Sequence, residues 1–238
     1  MTRLDNYLVE NDLAQTRNKA QTMIKEAFVS VNNKVVLKAS FKVSDSDDVK
    51  VQEHKQYVSR AAFKLCNFFD EIPLHVESLV ALDIGSSTGG FTQVLLEYGA
   101  SEVTAVDVGK EQLHMSLKED KRVHSYESCD IREFKSNKIF DIVVSDVAFI
   151  SLLYILDDVH RLANDKIILL FKPQFEVGRE AKRDNNGVVL DDKAILKAMI
   201  KFEDACSLLG WKLVQKSASK ITGKNGNLEY CYFYEKSC

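Results

Sequence analysis

The chain has 238 residues, which is enough for one large domain or for two domains of unequal size. Its 32 basic and 35 acidic side chains give a formal net charge of -3, which excludes a uniformly basic nucleic-acid coat protein. Hydrophobic residues make up 45% of the sequence, so a substantial core is expected and a disordered chain is excluded.

Targeting signals and metal motifs give no positive indication. The sequence has no stretch of about 18 consecutive apolar residues, and its start lacks the apolar core of a signal peptide. We therefore expect a cytoplasmic protein with no membrane span. The five cysteines contain no C-x-x-C pair and the five histidines show no metal-binding spacing, so neither disulfides nor a metal are predicted. The sequence leaves the oligomeric state open, with a monomer favoured.

Residues 1–57 predict a small module of helices and a hairpin, ending in a short linker. Thr2 together with Asp5 is predicted to cap a first short helix, and Thr16 is predicted to cap a second. Alternating apolar residues flank Asn32 and Asn33. They predict a two-residue hairpin, because asparagine tolerates positive φ.

This module has a local excess of positive charge. Between Gln15 and Ser44, six basic side chains stand against one acidic side chain. Such a balance suits contacts with phosphates. Solvated lysines on a helix face and a hairpin are the alternative explanation.

Three short patterns in the module carry a resemblance. The R-L-D start at residues 3–5, the Thr16-Arg17 pair and the V-x-V-N turn at residues 29–32 resemble the S4 RNA-binding domain of ribosomal proteins. The resemblance implies binding of structured RNA. The candidate RNA-binding residues are Arg3, Arg17, Lys19, Lys34 and Lys38, with Arg60 from the segment that follows.

Residues 58–238 predict a second domain of α/β class. From Ser78 onward, short apolar runs alternate with helical patterns, which predicts a Rossmann-like sheet of about seven mostly parallel strands. The last two strands, near Trp211 and Tyr230, follow each other without an intervening helix, so an antiparallel pair at the sheet edge is expected. Residues 174–189 are polar and predict a long loop.

A loop of small residues follows the first strand of this domain. Residues 85–90 read Gly-Ser-Ser-Thr-Gly-Gly and lead into a predicted helix. Asp107 ends the next strand, where a carboxylate can accept both ribose hydroxyls of an adenosine ligand. The spacing differs from the G-x-G-x-x-G of dinucleotide sites, and Asp83 before the loop suits a cationic amine.

This combination resembles the first motif of S-adenosylmethionine-dependent methyltransferases. The resemblance implies that S-adenosyl-L-methionine is the cofactor, with Asp83 and Gly85 beside its methionine part, Asp107 at the ribose and Asp130 at the adenine amino group. The full candidate set for the cofactor is Asp83, Gly85, Ser87, Thr88, Gly89, Gly90, Phe91, Asp107, Val108, Asp130, Ile131 and Asp146.

Four charged residues stand apart from these. Asp146 and Lys172 each follow a predicted strand, and therefore lie at the carboxyl edge of the sheet. Lys64 comes from the segment before the sheet and Glu229 from the region before the last strand. Together they resemble the Lys-Asp-Lys-Glu tetrad of the FtsJ-like ribose 2'-O-methyltransferases. With the S4-like module and the stretches at residues 148–152 and 172–176, the whole chain resembles the TlyA, or hemolysin A, family.

The family resemblance implies methylation of a cytidine 2'-hydroxyl in ribosomal RNA, on the large subunit and, as a second candidate, the small one. A lysine can serve as the base for this reaction only if its pKa falls toward neutrality. Lys172 is the candidate base, oriented by Asp146. Lys64 is expected to supply a neighbouring positive charge, and Glu229 to hold Lys64 or the hydroxyl.

Three other functions compete with this one. A nicotinamide oxidoreductase would also use a glycine loop and a ribose acid, but the loop spacing and the lysines argue against it. A non-catalytic RNA-binding scaffold would not need all four charged positions to be filled. A haemolytic pore is suggested by the family name, although no segment of the sequence supports one.

Overall fold

The computed structural model describes residues 2–25, 28–44, 46–51, 57–223 and 225–236. The chain divides into two compact units, Met1–Gln56 and Tyr57–Cys238. Most of the predicted linker, residues 52–56, lies outside the described residues. Among the helices that are described, none is long and apolar enough to cross a membrane.

The N-terminal unit packs two helices against short strands. Strand β2 (Val29–Val31) lies at the centre of a three-stranded antiparallel sheet, between β3 (Lys34–Val35) and β5 (Val49–Val51). Strand β1 (Thr2–Arg3) pairs with β4 (Lys42–Val43). Leu8, Ile24 and Val29 are fully buried between the helices and this sheet. The elements are β1 (Thr2–Arg3), α1 (Leu4–Glu10), α2 (Arg17–Lys25), β2 (Val29–Val31), β3 (Lys34–Val35), β4 (Lys42–Val43) and β5 (Val49–Val51).

Two of the three local predictions for this unit are confirmed. Asn32 and Asn33 have φ values of 51° and 63°, as a two-residue turn of this kind requires. The Thr16 hydroxyl accepts from the Lys19 amide at 3.2 Å and caps α2. The predicted cap of α1 is wrong. Thr2 belongs to β1 and no side chain caps α1, because Asp5 is turned into the interior instead.

Asp5 is completely buried and joins α1 to α2. Its carboxylate accepts from Arg3 Nε at 2.9 Å, Arg17 Nε at 3.0 Å and Gln21 Nε2 at 2.8 Å. These hydrogen bonds hold the pKa of Asp5 well below its usual range, and the bond from the Arg3 guanidinium has the largest effect. A buried charge is tolerated only with such partners, so the aspartate of the R-L-D pattern has a structural role.

We expect Asp5→Ala to destabilise the N-terminal unit by about 2–4 kcal/mol, because several charge-assisted hydrogen bonds are lost together. Hydrogen exchange of peptides from residues 2–51 in the full chain measures the loss, with the exposed Asp12→Asn as a control. Since the folded pKa of Asp5 is lowered, its stabilising contribution is present above the unfolded value of about 4 and is lost below it. Unchanged protection in Asp5→Ala contradicts this role.

The second unit contains seven strands in its described part. Its elements are α3 (Ala61–Phe69), β6 (Val80–Ile84), α4 (Gly90–Glu97), β7 (Glu102–Val106), α5 (Met115–Lys118), β8 (Val123–Tyr126), β9 (Phe140–Ser145), a 3-10 helix (Leu152–Tyr154), α6 (Leu156–Leu162), β10 (Ala163–Phe171), α7 (Pro173–Glu176), α8 (Asp192–Leu208), β11 (Trp211–Ala218) and β12 (Tyr230–Lys236).

These strands form one sheet in the order β11-β12-β10-β9-β6-β7-β8. All pairs from β10 to β8 are parallel, whereas β12 is antiparallel to both of its neighbours, so the predicted mostly parallel sheet with an antiparallel edge pair is confirmed. Alternate residues of the central strands enter two separate cores. In β9, Val144 faces the core that includes α3 and α4, and Val143 faces the core that includes α6 and α8. Helices on both faces explain the continuous apolar runs.

The sheet brings separate parts of the sequence to one edge. Strands β6, β7, β9 and β10 are parallel, so the residues that follow them meet at their carboxyl ends. Strand β12 runs the other way, and its first residue, Tyr230, pairs with Phe171 at the end of β10. The residue before β12 therefore reaches the same edge. The residues so placed are Gly85, Asp107, Asp146, Lys172 and Glu229.

The predicted loop at residues 174–189 begins with a helical turn. In α7 the Phe175 amide donates to the Lys172 carbonyl at 2.9 Å, and the Val177 amide donates to the Pro173 carbonyl at 3.0 Å. Four residues are too few to display a helical period. Proline at the first helical position, which favours such a start, is the signal that was present.

Candidate active site

The small-residue loop between β6 and α4 requires glycine at two positions. Gly85 and Gly89 have φ values of 79° and 97°. A Cβ on Gly85 would lie 3.0 Å from Val147 Cγ1, and one on Gly89 would lie 2.2 Å from Leu117 Cδ1. Only glycine combines this backbone with this close approach, so the loop can pack directly against Val147 and Leu117.

Two adjoining cavities open at this loop and share the lining residues Gly85, Ser87, Asp146 and Ala148. The larger has a volume of about 540 Å³ and contains Lys64 and Lys172 in its wall. The smaller has a volume of about 330 Å³ and lies along the ends of β6, β7 and β9. The predicted cofactor residues that line one or both are Gly85, Ser87, Thr88, Gly90, Phe91, Asp107, Val108, Asp130, Ile131 and Asp146.

Two carboxylates line the smaller cavity besides Asp146. Asp107 Oδ2 accepts from the Ser87 amide at 2.8 Å and Oδ1 accepts from the Gly109 amide at 2.6 Å, so it joins the loops after β6 and β7. Asp130 pairs with Arg132 at 2.5 Å, and this hydrogen bond lowers the pKa of Asp130. The described partners of Asp107 are backbone amides rather than a cation, so its carboxylate suits a cationic ligand.

Asp83 lies beneath the loop rather than on a cavity wall, as does Gly89. Asp83 Oδ2 accepts from Thr92 Oγ1 at 2.7 Å, while Oδ1 is buried with no hydrogen-bond partner among the described residues. Burial, with the charges of Asp146 and Asp107, raises the pKa of Asp83 to about 7. A cation in the cavities would relieve this repulsion.

The four tetrad candidates meet in one cluster. Lys172 Nζ lies 2.6 Å from Asp146 Oδ1 and also donates to the Asp146 carbonyl oxygen at 3.2 Å. Lys64 Nζ lies 2.6 Å from Glu229 Oε2 and 4.0 Å from Asp146 Oδ2. None of these side chains is more than 12% exposed. Asp146 thus stands between two ammonium groups beside the cavities.

Helix α7 connects this cluster to the loop after β9. Gln174 Nε2 donates to Glu229 Oε1 at 3.1 Å. Glu176 accepts from Ser151 Oγ at 2.5 Å and from the Leu152 amide at 2.8 Å, and burial raises the pKa of Glu176. The two stretches singled out in the sequence, residues 148–152 and 172–176, are therefore bonded to each other.

Phe149 is a site residue for which no role was predicted from the sequence. It lines the smaller cavity, is 91% exposed, and has a φ of 65° that is unfavourable for a bulky side chain. Its ring lies 5.3 Å from that of Phe175. Gln112 was also missed, and it accepts from Ser87 Oγ at 3.2 Å. The signal available in the sequence was an aromatic residue close after Asp146, but not its exposure.

The predicted RNA-binding residues fall into different settings. Arg3 and Arg17 bond to Asp5, so both also stabilise the fold. Lys34 and Lys38 are exposed on and beside the β2–β3 hairpin. Lys19 is half-buried, and Arg60 lines the larger cavity.

Comparison with known proteins identifies the family. The FtsJ-like methyltransferase model matches residues 57–236, and the S4 domain model matches residues 2–49. The 23S rRNA (cytidine-2'-O)-methyltransferase TlyA of Campylobacter jejuni is 45% identical, with the match covering 98% of this chain and 99% of that protein. The chain belongs to the TlyA family of FtsJ-like methyltransferases.

Other TlyA-family relatives also match nearly the full chain. The Mycobacterium tuberculosis 16S/23S rRNA (cytidine-2'-O)-methyltransferase TlyA is 36% identical over 96% of this chain and 87% of its own. A solved structure from Streptococcus thermophilus, named as a hemolysin, is 33% identical with a TM-score of 0.73, covering 99% of this chain and 88% of that one. The sequence-based resemblance to this family and the predicted fold are both confirmed.

The TlyA-family fold implies S-adenosylmethionine as the methyl donor, and the residues present fit it. Gly85 and Ser87 line both cavities, carboxylates line the smaller one, and Asp83 Oδ1 has no partner in the described chain. Asp107 and Asp130 would hold the nucleoside part of the cofactor, and Gly85 would border its methionine part.

We expect cofactor binding to release a proton from Asp83. Because the pKa of Asp83 is raised to about 7, much of it is protonated at pH 6.5, and a cation nearby favours ionisation. Calorimetry at pH 6.5 in buffers of different ionisation enthalpy should report release of up to about one proton. Asp83→Asn should abolish the release, and the surface variant Asp165→Asn should not. Binding heats that do not depend on the buffer contradict the expectation.

Proposed function

We propose that this protein transfers a methyl group from S-adenosylmethionine to the ribose 2'-hydroxyl of a cytidine in ribosomal RNA of the large subunit. The observation that carries the proposal is the buried Lys64, Asp146, Lys172 and Glu229 cluster beside the two cavities. The names of the Campylobacter jejuni and Mycobacterium tuberculosis relatives support the substrate. A ribosomal substrate places the protein in the cytoplasm.

Lys172 is the general base of the proposed reaction. Bound S-adenosylmethionine supplies a methyl group on a positively charged sulfur, and the 2'-hydroxyl must lose its proton as it attacks. Asp146 holds Lys172 Nζ through two contacts, to its carboxylate and its carbonyl oxygen. The Lys64 ammonium lies on the other side of Asp146, with its Nζ 4.0 Å from Asp146 Oδ2. In the proposed step the Lys172 amine accepts the hydroxyl proton.

The Lys64–Glu229 pair completes the arrangement. Glu229 Oε2, at 2.6 Å, holds the Lys64 ammonium in place, and the role proposed for Lys64 is to present positive charge rather than to accept the proton. That charge faces the larger cavity, where it can contact the ribose or its phosphate. A non-catalytic scaffold offers no reason to bury four charged groups together, which is unfavourable in itself.

Phe149 and the N-terminal unit supply RNA contacts in this proposal. An exposed aromatic ring at a cavity mouth is suited to stack on an unpaired base. The S4 domain, through Lys34 and Lys38 on its hairpin region, is suited to contact phosphates. Recognition of the folded RNA and positioning of one nucleotide are thereby assigned to different surfaces.

We expect Lys172→Ala to lower methyl transfer by about 10²- to 10⁴-fold, the usual contribution of a general base. Lys172→Arg should be similarly inactive, because arginine keeps the charge but does not release its proton. The measurement is transfer of labelled methyl groups to large and small ribosomal subunits that lack the modification, followed by mapping of the 2'-O-methyl sites. The exposed Lys193→Ala on α8 is the control.

Two results would overturn the proposal. One is absence of label on both subunits with the wild-type protein, and the other is labelling that persists at the wild-type rate in Lys172→Arg. Label on the small subunit alone would leave the chemistry intact and correct the target.

We expect the double variant Lys34→Ala, Lys38→Ala to weaken RNA binding without affecting the methyltransferase cavities. Each lost phosphate contact should reduce the salt dependence of binding by about one unit of log-log slope, so the double variant should lose about two. Filter binding of subunits between low and moderate salt measures this slope. Lys121→Ala in the second unit is the control, and an unchanged slope in the double variant contradicts the assignment.

A further inference from the structure

The carboxylate of Glu229 has two oxygens, and the four-residue cluster accounts for only one of them. Oε2 accepts from Lys64 Nζ at 2.6 Å, whereas Oε1 accepts from the side-chain amide of Gln174 at 3.1 Å. Glu229 is 2% exposed, so water does not readily replace either partner. A Cβ on Gly223 would lie 2.4 Å from the same Oε1, so the chain is closed around this oxygen.

Gln174 shares a single turn with the proposed base. The Phe175 amide donates to the Lys172 carbonyl at 2.9 Å, and Pro173 begins α7 between Lys172 and Gln174. The Lys172 side chain reaches Asp146 and the Gln174 side chain reaches Glu229. One turn therefore connects the two ion pairs of the cluster.

Gln174 does not contact the cavities directly. It is not part of either wall, and its Oε1 is buried with no hydrogen-bond partner in the described part of the chain. An unpartnered buried oxygen is unfavourable, and a methionine or leucine would occupy this space without one. The presence of an amide is therefore explained by the bond that its nitrogen donates to Glu229.

We propose that Gln174 is a positioning residue for methyl transfer, which acts by holding Glu229 and, through Glu229, the ammonium of Lys64. The inference rests on the proposed function. A Glu229 carboxylate that is free to turn would release Lys64 toward Asp146, whose Oδ2 is already 4.0 Å from Lys64 Nζ. Two ammonium groups would then compete for one carboxylate, and Lys172 would lose its orientation.

The test compares two substitutions of Gln174. Gln174→Met keeps the volume but removes the donor, and it should lower the single-turnover rate on ribosomal subunits about 10- to 100-fold at every pH. Gln174→Glu places a second carboxyl group beside Glu229. Like charges raise the pKa of such a pair, so the protonated form donates to Glu229 at low pH and the bond is lost at high pH.

The ratio of the Gln174→Glu rate to the Gln174→Met rate should therefore rise as the pH falls. A merely space-filling role predicts no such trend. Gln215→Met, which removes an amide on the edge strand β11, is the matched control and should keep the wild-type rate. Circular dichroism and the affinity for S-adenosylmethionine, both expected to match wild type, establish that the variants are folded.

Two results overturn the inference while leaving the proposed function in place. They are a wild-type rate in Gln174→Met, and a ratio that does not change with pH. A crystal structure of Gln174→Met gives a readout that needs no RNA, with Lys64 Nζ expected to shift toward Asp146 by about 1 Å, a displacement large enough to impair the chemistry. An unchanged cluster in that structure also overturns the inference, whatever substrate the enzyme proves to have.

Discussion

The negative charge of Asp146 is the constraint around which the second unit builds its site. Asp146 directly follows β9, lines both cavities and is largely shielded from water. A carboxylate in such a place must be paired. Lys172 is the close partner of Asp146 and Lys64 is the more distant one. One negative charge therefore faces two positive charges. Glu229 supplies a second carboxylate, which pairs with Lys64. Its other oxygen accepts a hydrogen bond from Gln174. Each partner thus creates the requirement for the next.

The same principle operates in the first unit with a different outcome. Asp5 is also a buried carboxylate, but its partners Arg3, Arg17 and Gln21 come from β1 and α2. There the paired charge joins two helices. In the second unit the paired charges border empty space. The chemistry of the groups is similar, whereas the roles proposed for them differ.

Much of the fold follows from local patterns in the sequence. The Asn32-Asn33 turn, the Thr16 cap and the apolar runs of β6, β9 and β10 depend on few neighbours, and each can be predicted. The inward orientation of Asp5 could not be predicted, because an aspartate near the start of a helix gives the same sequence pattern whether it caps the helix or points into the core. Only the distant Gln21 and Arg17 decide between the two.

The candidate site also has some features that could be predicted from the sequence and others that could not. Asp146 and Lys172 could be placed together because residues that follow parallel strands meet at one edge, whereas Lys64 and Glu229 are grouped with them only by the family resemblance. The bonds within the cluster could not be predicted, because they depend on α7, a turn too short to leave a periodic signal. Phe149 illustrates the remaining limit: its exposure and positive φ are properties of a loop conformation that Glu176 holds from a distance.

The reversed direction of β12 has a consequence for the order in which the protein can be completed. Lys64 and Glu229 are 165 positions apart, and β12 lies between β10 and β11 in the sheet. A chain emerging from the ribosome can form β6 to β10 early, yet β11 has no neighbour to pair with until the final segment arrives. The same segment delivers Glu229. Closure of the sheet and assembly of the four-residue charged cluster therefore depend on the same late segment of the chain.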